Sequence, residues 1–393
     1  MSGAVETAER VLRQNWLEGE REGTRFAYTR PSPTRYPWQW FWDSCFAAIV
    51  WRRFDAGRSR LELESLLAAQ RENGFIGHTI FWDKKVSPTR LPFYNVSSRA
   101  AFQTETIQPP LLAWAWRIAV GDPAEEPRIG LQMDWLGANR DLDGDGLLWI
   151  VQPDESGLDA SPKFEEVWGR RANGIGFPLL VQRNRRRGFD ALRIRERGWP
   201  LLCEPMVNTF WSLSLQALGR PSATPALVER LWNERLGLFV DEAQPGNVRP
   251  RAVTWAALAP LALPDLPERI GRRLVEEHLL DPTEFLTPVA PPSVAISEPS
   301  YEPDGGHDLF RRYWRGPTWV NSAWMVWLGL RRLGYEAEAE QLAAGVIGAV
   351  ERQGLREYYD PRDGTGLGAV DFAWSALAAE LADPDPAAAG SHL

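Results

Sequence analysis

Three carboxylates fall inside Gln152–Pro162, Gln-Pro-Asp-Glu-Ser-Gly-Leu-Asp-Ala-Ser-Pro: Asp154, Glu155 and Asp159. The segment is too rich in Ser, Gly and Pro to be a helix interior. It follows the apolar run Leu147–Val151 and reads as a loop with acids in it. A carboxyl group held there beside Phe164, Trp168 or a covering segment is desolvated, so its pKa rises and it stays protonated long enough to act as an acid. Asp159 is the candidate for that role; the competing assignment is an N-cap or Asx-turn ahead of Ser161-Pro162. Glu357, in Arg356-Glu357-Tyr358-Tyr359-Asp360-Pro361, is the second candidate, against a plain surface carboxylate.

What raises both acids is their aromatic company. The chain has 20 tryptophans, many of them clustered: Trp38-Gln39-Trp40-Phe41-Trp42-Asp43 near the start, and Tyr313-Trp314-Arg315-Gly316-Pro317-Thr318-Trp319 further on. Indole and phenol rings pair a flat apolar face with a polar handle, which suits the C–H faces and hydroxyls of a sugar. Trp114, Trp116, Trp211, Trp324 and Trp327 sit at helical spacing and read as core. Trp40, Trp42, Tyr313, Trp314 and Trp319, mixed with Gln39, Asp43, Arg315 and Asn321, read as the wall of a pocket. The acidic loop and the two flanking clusters are expected to converge on one sugar site.

The totals exclude several classes. A net charge of −8 argues against a nucleic-acid partner, which needs a basic face, and the basic run Arg183-Asn184-Arg185-Arg186-Arg187 reads as solvated surface. Cys45 and Cys203 lie in apolar helical patterns, as small hydrophobes do, so neither a disulfide framework nor a zinc site is expected. Asp141-Leu142-Asp143-Gly144-Asp145-Gly146 matches the first half of a calcium loop, but Gln152 stands where the bidentate Glu belongs. A hydrogen-bonded turn is the preferred reading, and no metal or cofactor is expected. No stretch approaches ~18 uninterrupted apolar residues, and Met1–Arg21 has no leader-like apolar run. The expectation is a soluble cytoplasmic protein with no membrane partner, a small sugar or sugar-acid substrate, and a homo-oligomeric state left open.

The elements that must position these residues are helical from end to end. Candidate helices are Val5–Gly19, Asp43–Phe54, Arg60–Arg71, Thr104–Ile118, Glu125–Asn139, Phe164–Gln182, Pro205–Leu218, Pro225–Arg235, Arg251–Leu261, Leu266–Leu280, Pro317–Leu333, Glu336–Gln353 and Gly368–Leu381, with hardly a strand between them. Some, such as Val320–Leu330, are apolar on nearly every face and must be buried. Others, such as Arg60–Arg71 and Glu336–Gln353, carry a charged face and lie outside. Alternation of the two kinds implies inner and outer rings, an all-α barrel of helical hairpins. The long connections, about 72–103 and 281–316, are expected to form lids over its mouth. Residues 1–382 read as one domain and 383–393 as a flexible tail.

Taken together, Phe41-Trp42-Asp43-Ser44, Glu155-Ser156-Gly157-Leu158-Asp159-Ala160-Ser161-Pro162, Tyr313-Trp314-Arg315-Gly316-Pro317-Thr318-Trp319-Val320-Asn321 and Glu357-Tyr358-Tyr359-Asp360-Pro361 followed by Gly364-Thr365-Gly366 resemble glycoside hydrolase family 63. The likeness is to its short bacterial mannosylglycerate and glucosylglycerate hydrolases. The resemblance implies an (α/α)6 barrel and an inverting α-glycosidase with Asp159 as general acid and Glu357 as general base. Tyr36, Trp40, Trp42, Asp43, Gln108, Tyr313, Trp314, Arg315 and Trp319 are the expected substrate-binding residues. One departure stands out: the family usually has Asn after the acid, and here it is Ala160. A glycerate aglycone needs a cation, for which Arg90, Arg187, Arg193 and Arg315 are candidates. The alternatives are an α-glucosidase acting on a disaccharide or oligosaccharide, and a non-catalytic carbohydrate-binding α/α barrel. A sugar epimerase would need better-placed histidines, and a terpenoid cyclase an Asp-Asp-x-x-Asp run.

Overall fold

A computed structural model describes residues 3–83, 85–305 and 313–384. Six inner segments follow one another round a closed ring: Phe41–Trp51, Leu112–Ala119, Pro205–Ala217, the 3-10 turns of 255–262, Val320–Leu333, and the turn-and-helix 373–382, which returns to the first. Six outer segments lie behind them: Gly3–Asn15, Ala56–Ala68, Glu126–Arg140, Thr224–Leu231, 268–279 and Glu336–Gln353. This is an (α/α)6 barrel.

Sequence pattern decides which ring a helix joins. Phe-Trp-Asp-Ser-Cys-Phe-Ala-Ala-Ile-Val-Trp over Phe41–Trp51 has no continuous polar face, and every residue of it is buried. Glu336–Gln353 alternates apolar and charged faces, opens with Glu336 and Glu338 at its positive end, and stops at Gly354. Trp114, Trp116, Trp211, Trp324 and Trp327 all lie in the main core. Cys45 and Cys203 are buried free thiols. No helix among the described residues is long and apolar enough to cross a membrane.

Several expected helices are shorter or absent. Val5–Gly19 stops at Asn15, because Trp16–Arg21 pairs with Thr24–Thr29 in a hairpin. Its turn residues Glu22 and Gly23 both take positive φ, the twist that two-residue hairpin turns favour. Thr104–Ile118 begins only at Leu112, after Pro109-Pro110. Phe164–Gln182 breaks around Gly169 and Gly174 into Lys163–Trp168, two 3-10 turns and Phe177–Arg185. Arg251–Leu261 is reduced to 3-10 turns on either side of Leu258, with Pro260 lacking the N–H that an α-helix needs. The start of Gly368–Leu381 is instead the strand Gly366–Val370, paired antiparallel with Arg356–Tyr359. Small ribbons of this kind sit at the barrel mouth and carry site residues. Of the expected tail, 385–393 lies outside the described residues, as does 306–312 of the second long connection.

Candidate active site

The acidic loop is built on a buried ion pair. Pro153–Glu155 forms a single 3-10 turn, and the fully buried Glu155 receives both terminal nitrogens of Arg140, at 2.8 and 2.5 Å. The Val151 and Ile107 backbone N–H groups also donate to it, at 2.7 and 3.1 Å. Glu155 therefore fixes the loop, its acceptor capacity taken up by these four donors. Two residues on, Gly157 adopts φ +77°, and a Cβ there would stand 2.6 Å from the Trp42 ring. Glycine lets the loop lie flat against that indole.

Asp159 follows. Its carboxyl is half-buried and largely desolvated, which pushes its pKa up to about 6; the hydrogen bond from Tyr313 opposes the rise, and the charge of Glu357 adds to it. The Tyr313 hydroxyl donates to Oδ2 at 3.1 Å. Ala160 takes the left-handed φ of +65°, and its carbonyl accepts from Arg315 Nε at 2.7 Å, while Nη2 of the same guanidinium reaches Glu165 at 2.5 Å. Arg315 is thus spent on holding the loop and lines neither part of the cavity described below.

Glu357 stands on the strand Arg356–Tyr359, across the chamber. Its Oε1 accepts from the Tyr36 hydroxyl at 2.8 Å and its Oε2 from the Ala369 N–H at 2.8 Å, with Arg35 Nη1 3.6 Å from Oε2. Burial raises its pKa, and these three donors pull it back down. A Cβ at Gly368, φ +68°, would meet Glu357 itself at 2.7 Å, so the partner strand needs glycine there. The two acids sit in unlike surroundings: three groups favour ionised Glu357, and one hydrogen bond favours ionised Asp159. Such a pair can give a proton from one side and take one from water on the other.

Both carboxyls line an inner chamber of about 70 Å³, with Tyr36, Trp40, Trp42, Asp43, Gln108, Tyr313, Trp314 and Trp319. Trp314 and Trp319 stack face to face, centroids 3.9 Å apart. Gln108 Oε1 accepts from the Trp42 N–H at 3.1 Å. Asp43 is buried, which drives its pKa well up, and the Glu357 charge adds to this. An outer chamber of about 340 Å³ opens beyond it, and Trp40, His78, Asp154, Asp159 and Tyr313 line both. His78, Phe372 and Trp374 also line the inner chamber and Arg35 stands beside Glu357, none of them expected there from the sequence. Asp154 stood out in the sequence without a role assigned to it.

The connection 72–103 supplies His78, Phe93, Tyr94 and Asn95 to the outer walls. Arg185 holds it down by donating to the carbonyls of Leu91, Tyr94 and Val96 at 2.7 to 2.9 Å. The run Arg183–Arg187 is therefore not the solvated surface expected; Arg183 and Arg187 also lie over the Trp199 ring. Arg193 is an exposed partner of Asp190, and Arg90 lies over Trp38. No arginine or lysine lines the outer chamber among the described residues. The Asp141–Gly146 segment is a hydrogen-bonded turn: Asp141 accepts from the N–H groups of Gly144, Asp145 and Gly146, and Asp143 and Asp145 pair with Arg195 and Arg230.

The chain matches the family described as mannosylglycerate hydrolase MGH1-like glycoside hydrolase domain over residues 36–221 and 219–375. It is 29% identical to a mannosylglycerate hydrolase of Rubrobacter radiotolerans over 95% of each chain. Identity to a glucosylglycerate hydrolase of Mycolicibacterium hassiacum is 27%, over 92% of this chain and 94% of that one. Among solved structures, the family 63 mannosylglycerate hydrolase of Thermus thermophilus, in complex with Tris and D-glycerate, superposes with a TM-score of 0.80 at 26% identity, over 96% of this chain and 99% of that one. The chain belongs to the mannosylglycerate hydrolase MGH1-like family and is a glycoside hydrolase of family 63.

Proposed function

We propose that this enzyme hydrolyses 2-O-α-mannosylglycerate and 2-O-α-glucosylglycerate to free sugar and glycerate, with inversion at the anomeric carbon. Asp159 protonates the glycosidic oxygen as its bond to the anomeric carbon breaks. Glu357 takes a proton from the water that attacks from the opposite face. An inverting pair needs roughly 6.5–9.5 Å between its carboxyls to admit that water. The observation that carries the reading is the pair itself: a half-buried and a buried carboxyl on one aromatic chamber, the first held among the described residues by one hydrogen bond from Tyr313, the second by two hydrogen bonds and the charge of Arg35. The substrate class is supported by the likeness to hydrolases named for these two glycerates. The buried free thiols Cys45 and Cys203 suit a cytoplasmic enzyme.

One observation favours a second reading. The outer chamber is walled by Trp40, Phe93, Tyr94 and Phe177, faces that suit a second sugar ring, as in a disaccharide. Turnover of the two glycerates beside kojibiose, nigerose and trehalose separates the readings. The proposal expects the glycerates to be cleaved far faster, and preferential cleavage of a disaccharide overturns it.

A further inference from the structure

Asp154 is a third carboxyl group at the neck between the two chambers, and the acid–base pair does not use it. Pro153–Glu155 buries it to 8% exposure while leaving it on the lining of both chambers. Its two oxygens meet amide donors: Gln152 Nε2 reaches Oδ1 at 2.7 Å, and Asn95 Nδ2 reaches Oδ2. Gln152 is held in turn by Asn95 Oδ1 at 2.7 Å and by Asn184 Nδ2 at 2.9 Å, and Asn184 also donates to the Val151 carbonyl at 3.1 Å. This buried network fixes where Asp154 points.

No cation compensates it among the described residues. A basic group close by is His78, with Nδ1 3.8 Å from Oδ2, and burial lowers that imidazole's pKa to about 3, so it is neutral. Burial, helped by the charge of Asp159, raises the Asp154 pKa to about 8. The amide donors from Gln152 and Asn95 oppose that rise, which still leaves the protonated acid well populated near neutral pH. Both protein amides offer it donors, so the acid proton has no acceptor among its hydrogen-bond partners, and a buried donor without one is costly.

Asp159 also lies at the neck, so the glycosidic oxygen it protonates must sit there, with the anomeric carbon just inside. The sugar hydroxyl closest to the neck is then the one on the adjoining ring carbon. We propose that Asp154 is the specificity-determining residue for the glycone, donating a hydrogen bond to that hydroxyl, whose axial or equatorial setting separates a mannoside from a glucoside. The assignment rests on the glycosidase reading above.

The test compares kcat/KM of the full-length wild type, Asp154→Asn and Asp154→Ala on 2-O-α-mannosylglycerate, 2-O-α-glucosylglycerate and the 2-deoxy analogue of the glucoside. Thermal melting shows which variants are folded, and Asp154→Leu, close in shape and without a donor, replaces Asp154→Ala if the latter is not. The wild type is expected to prefer one epimer by about tenfold or more, as a site that hydrogen-bonds one hydroxyl should. Asp154→Ala brings the ratio close to one and shrinks the penalty for the missing hydroxyl by a similar factor. Asp154→Asn, whose amide still donates, keeps the direction of the preference. An unchanged epimer ratio and an unchanged 2-deoxy penalty in Asp154→Ala overturn the proposal and leave the glycosidase reading standing. A wild type that turns over none of the three overturns both.

Discussion

The hydroxyl of Tyr36 donates a 2.8 Å hydrogen bond to Oε1 of Glu357, joining residues 321 positions apart across the barrel mouth. That bond favours the ionised carboxylate, the form in which Glu357 takes a proton from water. Tyr36→Phe is therefore expected to raise the Glu357 pKa and move the acid limb of kcat/KM to higher pH, with a loss of roughly tenfold in kcat. A pH–rate profile of the variant checks this; an acid limb that stays in place or moves down counts against Glu357 as the base.

Tyr313 acts on the other acid with the opposite consequence. Its hydrogen bond favours ionised Asp159, whereas catalysis needs the protonated form, present below a pKa of about 6. Activity of the wild type should fall as pH rises through that value. In Tyr313→Phe the Asp159 pKa rises, so the alkaline limb shifts upward, by roughly half a unit to one unit. A downward shift would show that Tyr313 holds the proton on Asp159 instead of off it.

Glu155 lies next to Asp154 in sequence, yet its work is structural. Glu155→Gln leaves the fully buried Arg140 without its charge partner, and removing one member of a buried pair costs about 3–5 kcal/mol. Urea denaturation should show a loss of this order; a loss below about 1 kcal/mol would mean the pair behaves like a surface one.

The backbone restricts which residue suits the position after the acid. Ala160 sits at φ +65°, where Asn is tolerated and other side chains cost about 1–2 kcal/mol. Ala160→Gly should stabilise the folded protein by up to ~1 kcal/mol, and Ala160→Asn by less. Differential melting of the variants checks this, and a destabilised Ala160→Gly would show that the methyl group's packing outweighs the backbone strain.

The barrel was legible in the sequence because its two rings differ in composition. Phe41–Trp51 has no polar face to offer solvent and Glu336–Gln353 has one, so burial follows from pattern alone. The short ribbons were not legible. Gly366–Val370 is held as a strand by its pairing with Arg356–Tyr359, a contact that local periodicity does not encode. In the site, Trp40, Trp42, Tyr313, Trp314 and Trp319 announced themselves by clustering. His78 and Arg35 gave no such signal: each is one polar residue in an unremarkable stretch, and only the fold brings His78 to the chamber and Arg35 to Glu357. Arg185 was hidden by its company, since a run of arginines says nothing about which one turns inward to the carbonyls of Leu91, Tyr94 and Val96.

The most direct test of the central claim is to follow hydrolysis of 2-O-α-mannosylglycerate by proton NMR and observe the anomer first released, for the wild type, Asp159→Asn and Glu357→Gln. The account expects β-mannose from the wild type before mutarotation, and a loss of about 10³-fold or more in kcat in either variant. Release of α-mannose, or turnover that survives neutralising either carboxyl, would contradict it.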